Sequence, residues 1–236
     1  MNGAKNEISK FEKASASIVI AAFNEEKAVG QVVHGLCAEG YRVIVVDDGS
    51  KDDTAKIALE AGGTVLRHPV NRGQGAALQT GITYALINDA KVVVTFDADG
   101  QHRIEDIGAI LRPILDEKVD IVLGSRFLDK TSKIPLGRKM LLGAAVVFMR
   151  LTSGTRLTDA HNGFRAFSRR AALKIDIQLD QMAHASELVD QIRHIGLPFC
   201  EVPVTIDYTK YSMQKGQNAG NAVRVAADYL VNKIVR

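Results

Sequence analysis

Short β-branched apolar runs alternate with segments of helical period from residue 17 to residue 125. The runs are SIVIAAF (17–23), YRVIVVDD (41–48), GTVLRH (63–68), KVVVTFD (91–97) and DIVLGS (120–125). Between them, Val29, Val32, Val33 and Leu36 repeat at the spacing of one helix face. Residues 52–60 follow with Ser50 ahead of them as a cap. Residues 74–88 carry Gly75, Ala76, Ala77, Gly81 and Ala85, and 104–116 give the next helix. Strand–helix alternation implies parallel pairing through crossovers and a sheet covered on both faces. Near-continuous apolar strands agree with burial on both sides. The expectation is an α/β chain with a Rossmann-like, mostly parallel sheet and helices on both faces.

The pattern loosens after Arg126. Residues 135–152 read as a helix with an apolar middle and basic ends and 184–195 as another, followed by LPFCEVPVTIDY (197–208). No flexible linker divides the 236 residues, which suit one large domain. The expected division is a loose polar leader over 1–16, a catalytic domain over 17–217, and an amphipathic helix over 218–236.

Each strand of the first half ends in a polar cluster: FNEE (23–26), DDGSKDDT (47–54), NRGQG (71–75), DADGQH (97–102) and GSR (124–126). Ligands of parallel α/β sheets bind beyond the carboxyl ends of the strands. Any one cluster reads as an ordinary turn. Five at one edge read as a site.

Asp97 and Asp99 are the sharpest feature. Residues i and i+2 of an extended segment share a face, so both carboxylates point into one cavity if strand geometry persists past Phe96. Two such charges raise each other's pKa unless a cation lies between them. A hard divalent ion takes oxygen ligands of this kind, and Gln101 adds an amide oxygen or orients a water. His102 is as well suited to a supporting role as to ligation. A cap for the helix near Ile104 explains Asp99 but leaves Asp97 unexplained. In DDGS, one carboxylate suits a ribose or base edge. Arg126, Arg138 and Arg165 are candidates for phosphate, which guanidinium matches bidentately.

Other classes fit poorly. The net charge of +3 carries no basic stripe, against a nucleic-acid binder. No stretch approaches about 18 apolar residues, the length of a membrane span. Cys37 and Cys200 lack zinc or redox spacing and read as buried thiols.

Taken in order, AAFNEE (21–26), VVDDGSKDDT (45–54), NRGQGAALQTGITYA (71–85), FDADGQH (96–102), GSR (124–126), DAHNGFRAF (159–167) and YTKYSMQKGQ (208–217) resemble family 2 glycosyltransferases of the GT-A, nucleotide-diphospho-sugar transferase fold. More narrowly they resemble the dolichyl- and polyprenyl-phosphate mannosyl- and glucosyltransferases. The resemblance implies that Ala22, Phe23, Glu25, Val46 and Asp48 contact the nucleotide. It implies that Asp97, Ala98 and Asp99 meet the donor and its metal, Mg2+ or Mn2+, with Gln101 beside them. Arg126 resembles the arginine that meets the diphosphate or the acceptor phosphate, and Lys215 the lysine of the C-terminal motif. Two positions depart from the pattern: Ala22 replaces the usual proline, and Thr209 stands where an arginine commonly precedes the lysine.

The implied reaction is inverting transfer of a hexose from a UDP- or GDP-linked sugar to a polyprenyl phosphate, with Asp99 and Arg126 at the reacting centre. If the acceptor is instead a hydroxyl of a growing saccharide, a base is needed, and Asp159 is the candidate. A nucleotidyltransferase fits less well because AAFNEE is acidic where a basic Gly-rich loop is needed. A non-catalytic nucleotide-sugar-binding module is the alternative outside enzymes. Segments 135–152 and 218–236 suit a membrane surface, a small membrane-protein partner or a homodimer, so the expected location is cytoplasmic, peripheral on the inner face of the cell membrane.

Overall fold

A computed structural model describes residues 8–129, 136–154, 157–179 and 183–208. Lys215, Thr209 and the helix expected over 218–236 lie outside the described residues.

Seven strands form one sheet: β1 (Ala16–Ala22), β2 (Arg42–Asp47), β3 (Thr64–Arg67), β4 (Val92–Thr95), β5 (Ile121–Ser125), β6 (Arg165–Ser168) and β7 (Phe199–Pro203), in the order β3-β2-β1-β4-β6-β5-β7. All pairings are parallel except those of β6, which runs antiparallel between β4 and β5. The helices are α1 (Lys10–Ser15), α2 (Val29–Ala38), α3 (Thr54–Glu60), α4 (Gln74–Ile87), α5 (Ile107–Leu115), α6 (Leu136–Ser153), α7 (Arg169–Ala172) and α8 (His184–Ile195).

The strands read as apolar runs because alternate residues fill two different cores. Ile18, Ile20, Val43, Val45, Val92, Val94 and Val122 point to one face, under α2 and α5. Val19, Ile44, Val93, Ile121, Leu123 and Phe167 point to the other, under α4, α7 and α8. The helical repeat seen in sequence is the buried face of α2: Val29, Val32, Val33 and Leu36. The small residues of α4 let it lie close on the sheet, and a Cβ on Gly81 would fall 2.3 Å from Val19 Cγ1.

Two expectations need correction. The leader over 1–16 is not loose throughout. Ile8 is buried, and α1 starts with a reciprocal capping box between Ser9 and Glu12. Residues 165–168 form β6, which the sequence pattern did not mark as a strand. Its reversal matters, because an antiparallel strand begins at the edge where its parallel neighbours end. Arg165 therefore pairs with Thr95, and residues 159–164 arrive beside the end of β4.

Candidate active site

The loops after β1 and β2 are tied into one unit. Asn24, at φ 53°, donates its backbone N–H to Ser50 Oγ at 2.9 Å, and its side chain accepts from Lys51 N at 3.0 Å. Glu25 N donates to Thr54 Oγ1 at 2.8 Å. Phe23, which directly follows β1, is 41% exposed.

The other nucleotide candidates are placed differently from a direct contact. Ala22 and Val46 are buried within their strands. Asp48 is buried, and its carboxylate accepts from Arg72 N at 3.0 Å and Gly73 N at 2.6 Å, with His68 Nδ1 at 2.7 Å. It shapes the 71–73 loop from beneath. Gly49, at φ 73°, is required here, because a Cβ would lie 2.7 Å from the Val70 carbonyl carbon. Ala98 is buried behind the Asp97–Asp99 turn.

Asp97 and Asp99 follow β4 directly. A third of the Asp97 side chain remains accessible. Burial pushes its carboxyl up, but His102, Arg126 and His184 outweigh burial and hold it below the usual range. Asp99 goes the other way: burial and then the Asp97 charge push it up, against a hydrogen bond from Gln101. Gln101 donates its backbone N–H (3.0 Å) and its amide Nε2 (2.6 Å) to the two Asp99 oxygens. Expected as a ligand, it is turned onto Asp99 and fixes that carboxylate.

Gly163 covers Asp97. A Cβ there would stand 2.7 Å from Asp97 Oδ1, and Thr95 Oγ1 holds the Gly163 carbonyl at 2.6 Å. Gln74 Nε2 approaches the same Oδ1 at 3.4 Å.

This donor set suits a hard divalent cation. It offers carboxylate oxygens, and the raised Asp99 marks an excess of negative charge that a cation would relieve. No group of three or more His, Cys, Asp and Glu side chains is arranged to hold a metal among the described residues. The remaining coordination positions would fall to phosphate oxygens and water.

Arg126 lies at the end of β5, buried with Asp159. Its Nε meets Asp159 Oδ2 at 2.6 Å, its backbone N–H meets the same oxygen at 3.2 Å, and its Nη1 reaches the Tyr208 hydroxyl at 3.3 Å. Burial opposes the Arg126 charge; Asp159 and Tyr208 more than offset it and raise its pKa. Asp159 is thus the anchor of Arg126. Glu201 on β7 fixes this loop in turn, accepting from Thr158 N at 2.9 Å and Asp159 N at 3.1 Å. Arg165 is not placed to bind phosphate. It is buried, its guanidinium donates to the carbonyls of Asn162 (2.9 Å) and Ala160 (3.1 Å), and burial lowers its pKa to about 10. Arg138 falls on α6, and its side chain is outside the described residues.

The segment 204–208 joins these parts and was missed in the sequence. Val204 N donates to Ser125 O at 3.0 Å, Thr205 N to Asp106 Oδ2 at 2.7 Å, and Asp207 N to Gln101 O at 2.9 Å. Arg103 clasps Asp207 through two bonds of 2.7 and 2.8 Å. Tyr208 then touches Arg126. The one available signal was a Glu inside the apolar FCEVP run, the mark of a strand end that carries polar work.

The comparisons with known proteins agree with this arrangement. The family model described as "Glycosyl transferase family 2" matches residues 17–175. An uncharacterised protein of Methanocaldococcus jannaschii is 38% identical over 99% of this chain and 98% of its own. The UDP-N-acetylglucosamine–dolichyl-phosphate N-acetylglucosaminyltransferase of Methanococcus voltae is 35% identical over 85% and 89%. The polyprenol monophosphomannose synthase of Mycolicibacterium smegmatis is 28% identical over 89% and 83%. In fold, the chain resembles the glucosyl-3-phosphoglycerate synthase of Mycobacterium tuberculosis, crystallised with Mn2+ and UDP-glucose, at a TM-score of 0.69 and 19% identity over 92% of this chain and 77% of that one. The sheet order with its single reversed strand is the GT-A fold, and the chain belongs to glycosyl transferase family 2.

Proposed function

We propose that this glycosyltransferase moves a hexose from a UDP- or GDP-linked sugar to a polyprenyl phosphate, with inversion and with the help of a divalent cation at Asp97 and Asp99. The relatives named for dolichyl and polyprenol phosphates support the acceptor class. The Mn2+ and UDP-glucose bound by the structural neighbour support the donor class and the cation.

The observation that carries the reading is the pairing of Asp159 with Arg126. A hydroxyl acceptor needs a base, and the candidate for it is committed to the arginine. A phosphate monoester has a second pKa near 6 and is already nucleophilic at neutral pH. It needs a cationic seat, which Arg126 supplies. Attack from the face opposite the leaving diphosphate inverts the anomeric carbon.

In this site Asp97 and Asp99 would hold Mg2+ or Mn2+, whose bound form supplies Lewis-acid stabilisation of the departing diphosphate. Gln101 keeps Asp99 oriented, and Gly163 leaves room for Asp97. Phe23 offers its ring to the base, while Asp48 and the loop it shapes close the nucleotide side. Lys215 adds a second positive charge near the diphosphate on the family pattern. Arg126, held from two sides, is preorganised for the acceptor phosphate.

The lipid acceptor places the work at a membrane surface, on the cytoplasmic side. Among the described residues no helix is long and apolar enough to cross a membrane. α6 instead exposes Met140, Gly143, Ala144 and Val147, at i, i+3, i+4 and i+7, an apolar stripe suited to lying on lipid.

The test is a donor panel of GDP-mannose, UDP-glucose, UDP-N-acetylglucosamine and UDP-galactose with polyprenyl phosphate, in Mg2+, Mn2+ or EDTA. Lipid-linked product that requires the cation is expected. Full turnover in EDTA overturns the cation. Product with a free saccharide acceptor and none with the lipid phosphate overturns the acceptor.

A further inference from the structure

The turn that follows Asp99 brings His102 back under Asp97. Gly100, at φ 74°, allows the reversal. The His102 backbone then bridges to Ile206 as an isolated antiparallel pair, so the residue is fixed by the 204–208 segment as well as by its own loop. The side chain is 2% exposed. Its ring stands edge-on to Phe96 at 5.2 Å between centroids and tilted against Phe164 at 4.9 Å. Phe96 and Phe164 themselves meet at 5.1 Å.

Inside this aromatic box, Nε2 lies 2.9 Å from Asp97 Oδ2 as a close charged contact, and neither ring nitrogen forms an aligned hydrogen bond. A buried imidazole with unmet hydrogen-bonding capacity costs stability where a phenyl ring would not. The ring is therefore a poor choice for packing alone. Its polar edge faces Asp97 Oδ2, while Gln74 approaches the other carboxylate oxygen, Oδ1.

We infer that His102 is a positioning residue for Asp97: the aromatic box fixes the imidazole, and the imidazole fixes the orientation in which Asp97 meets the cation and the donor diphosphate. Carboxylate ligands are held this way by partners behind them, and loss of such a partner typically weakens metal binding about 10- to 100-fold. The inference rests on Asp97 as a cation ligand, as proposed above.

The test compares H102Q, which keeps an N–H donor at similar reach, with H102M, which fills the box without one. Each is titrated with Mn2+ in the presence of UDP and of GDP, and free Mn2+ is read by its electron-spin resonance. H102M is expected to bind Mn2+ about 10- to 100-fold more weakly, with H102Q recovering most of that loss. An H102M that binds as tightly as wild type, or variants that lose equally, overturns the inference. A wild type that holds no Mn2+ overturns the assignment of Asp97 itself, and this inference with it. Should neither variant fold, the wild type decides through 15N-labelled imidazole. The His102 Nε2 resonance is expected to move on addition of Mg2+ and nucleotide, and an unmoved resonance overturns the inference.

Discussion

Asp159 receives both the backbone N–H and the side-chain Nε of Arg126 on a single carboxylate oxygen, at 3.2 and 2.6 Å. Both side chains are almost wholly buried. Removing one partner of such a pair leaves an uncompensated charge, at a cost of about 3–5 kcal/mol. D159A is expected to lower the melting temperature by roughly 6–20 °C for a chain of this size. D159N keeps the shape and loses most activity by the same factor at every pH. A general base behaves differently, because its loss removes the acidic limb of the kcat profile. A D159N profile that loses only that limb would return Asp159 to the role of base.

The charge on Asp99 is unfavourable in the folded protein, since burial and Asp97 both push its carboxyl up. For an acid whose folded pKa is raised, the native state binds its proton more tightly than the unfolded state does. Stability therefore falls as pH rises from the unfolded value, about 3.9, through the raised folded value. D99N removes that penalty. Without metal, D99N is expected to melt above wild type at neutral pH, and the gap is expected to close below about pH 4. Mn2+ with nucleotide should stabilise wild type and leave D99N unmoved. Scanning fluorimetry across pH reads all three outcomes; a D99N that melts below wild type at neutral pH contradicts the electrostatic account.

Gly163 is a glycine because Asp97 needs its space, not because its backbone needs freedom. A Cβ would stand 2.7 and 2.9 Å from the two carboxylate oxygens. Those oxygens belong to a side chain, so they can yield where a backbone atom cannot. G163A is expected to fold, with a stability loss of about 1–3 kcal/mol, and to lose roughly 10- to 100-fold in Mn2+ affinity through displacement of Asp97. Gly75 is the control. There a Cβ would meet the Leu179 carbonyl oxygen at 2.0 Å, so G75A should lose stability much more than G163A does. Chemical denaturation and Mn2+ titration of the two variants separate the cases.

The alternation of apolar runs and helical periods made most of the sheet legible, because β1, β2, β4 and β5 are buried on both faces and helices such as α2 and α5 bury one apolar stripe. The strand-end clusters were legible for the same reason: polar residues interrupt apolar runs at one edge. β6 was not, since RAFS begins with a charged residue that the fold buries by satisfying it with two carbonyls. Asp48 and Arg165 were read by residue type as ligand contacts, and the fold uses both to hold loops. Residue type states what a side chain can bond to; only the folded chain decides whether backbone groups reach it first. The same holds for Asp159, whose partner is 33 residues away in sequence.

α6 supplies a prediction about location. Met140 is 70% exposed and Val147 58% exposed, two turns apart on one side of the helix. The half-buried side carries Leu142, Ala145 and Val146, of which Val146 packs on the core beneath α8. The helix thus presents apolar side chains to both the core and the outside, and the outer ones gain nothing in water. Insertion of that stripe into a bilayer surface removes it from water without disturbing the core-facing side. M140E/V147E is expected to leave the melting temperature nearly unchanged, because both side chains are already exposed. It should reduce flotation with anionic liposomes and raise KM for a long-chain polyprenyl phosphate. Turnover with a short, water-soluble phosphate acceptor should stay at the wild-type level. Equal flotation of wild type and variant would remove α6 from the membrane surface.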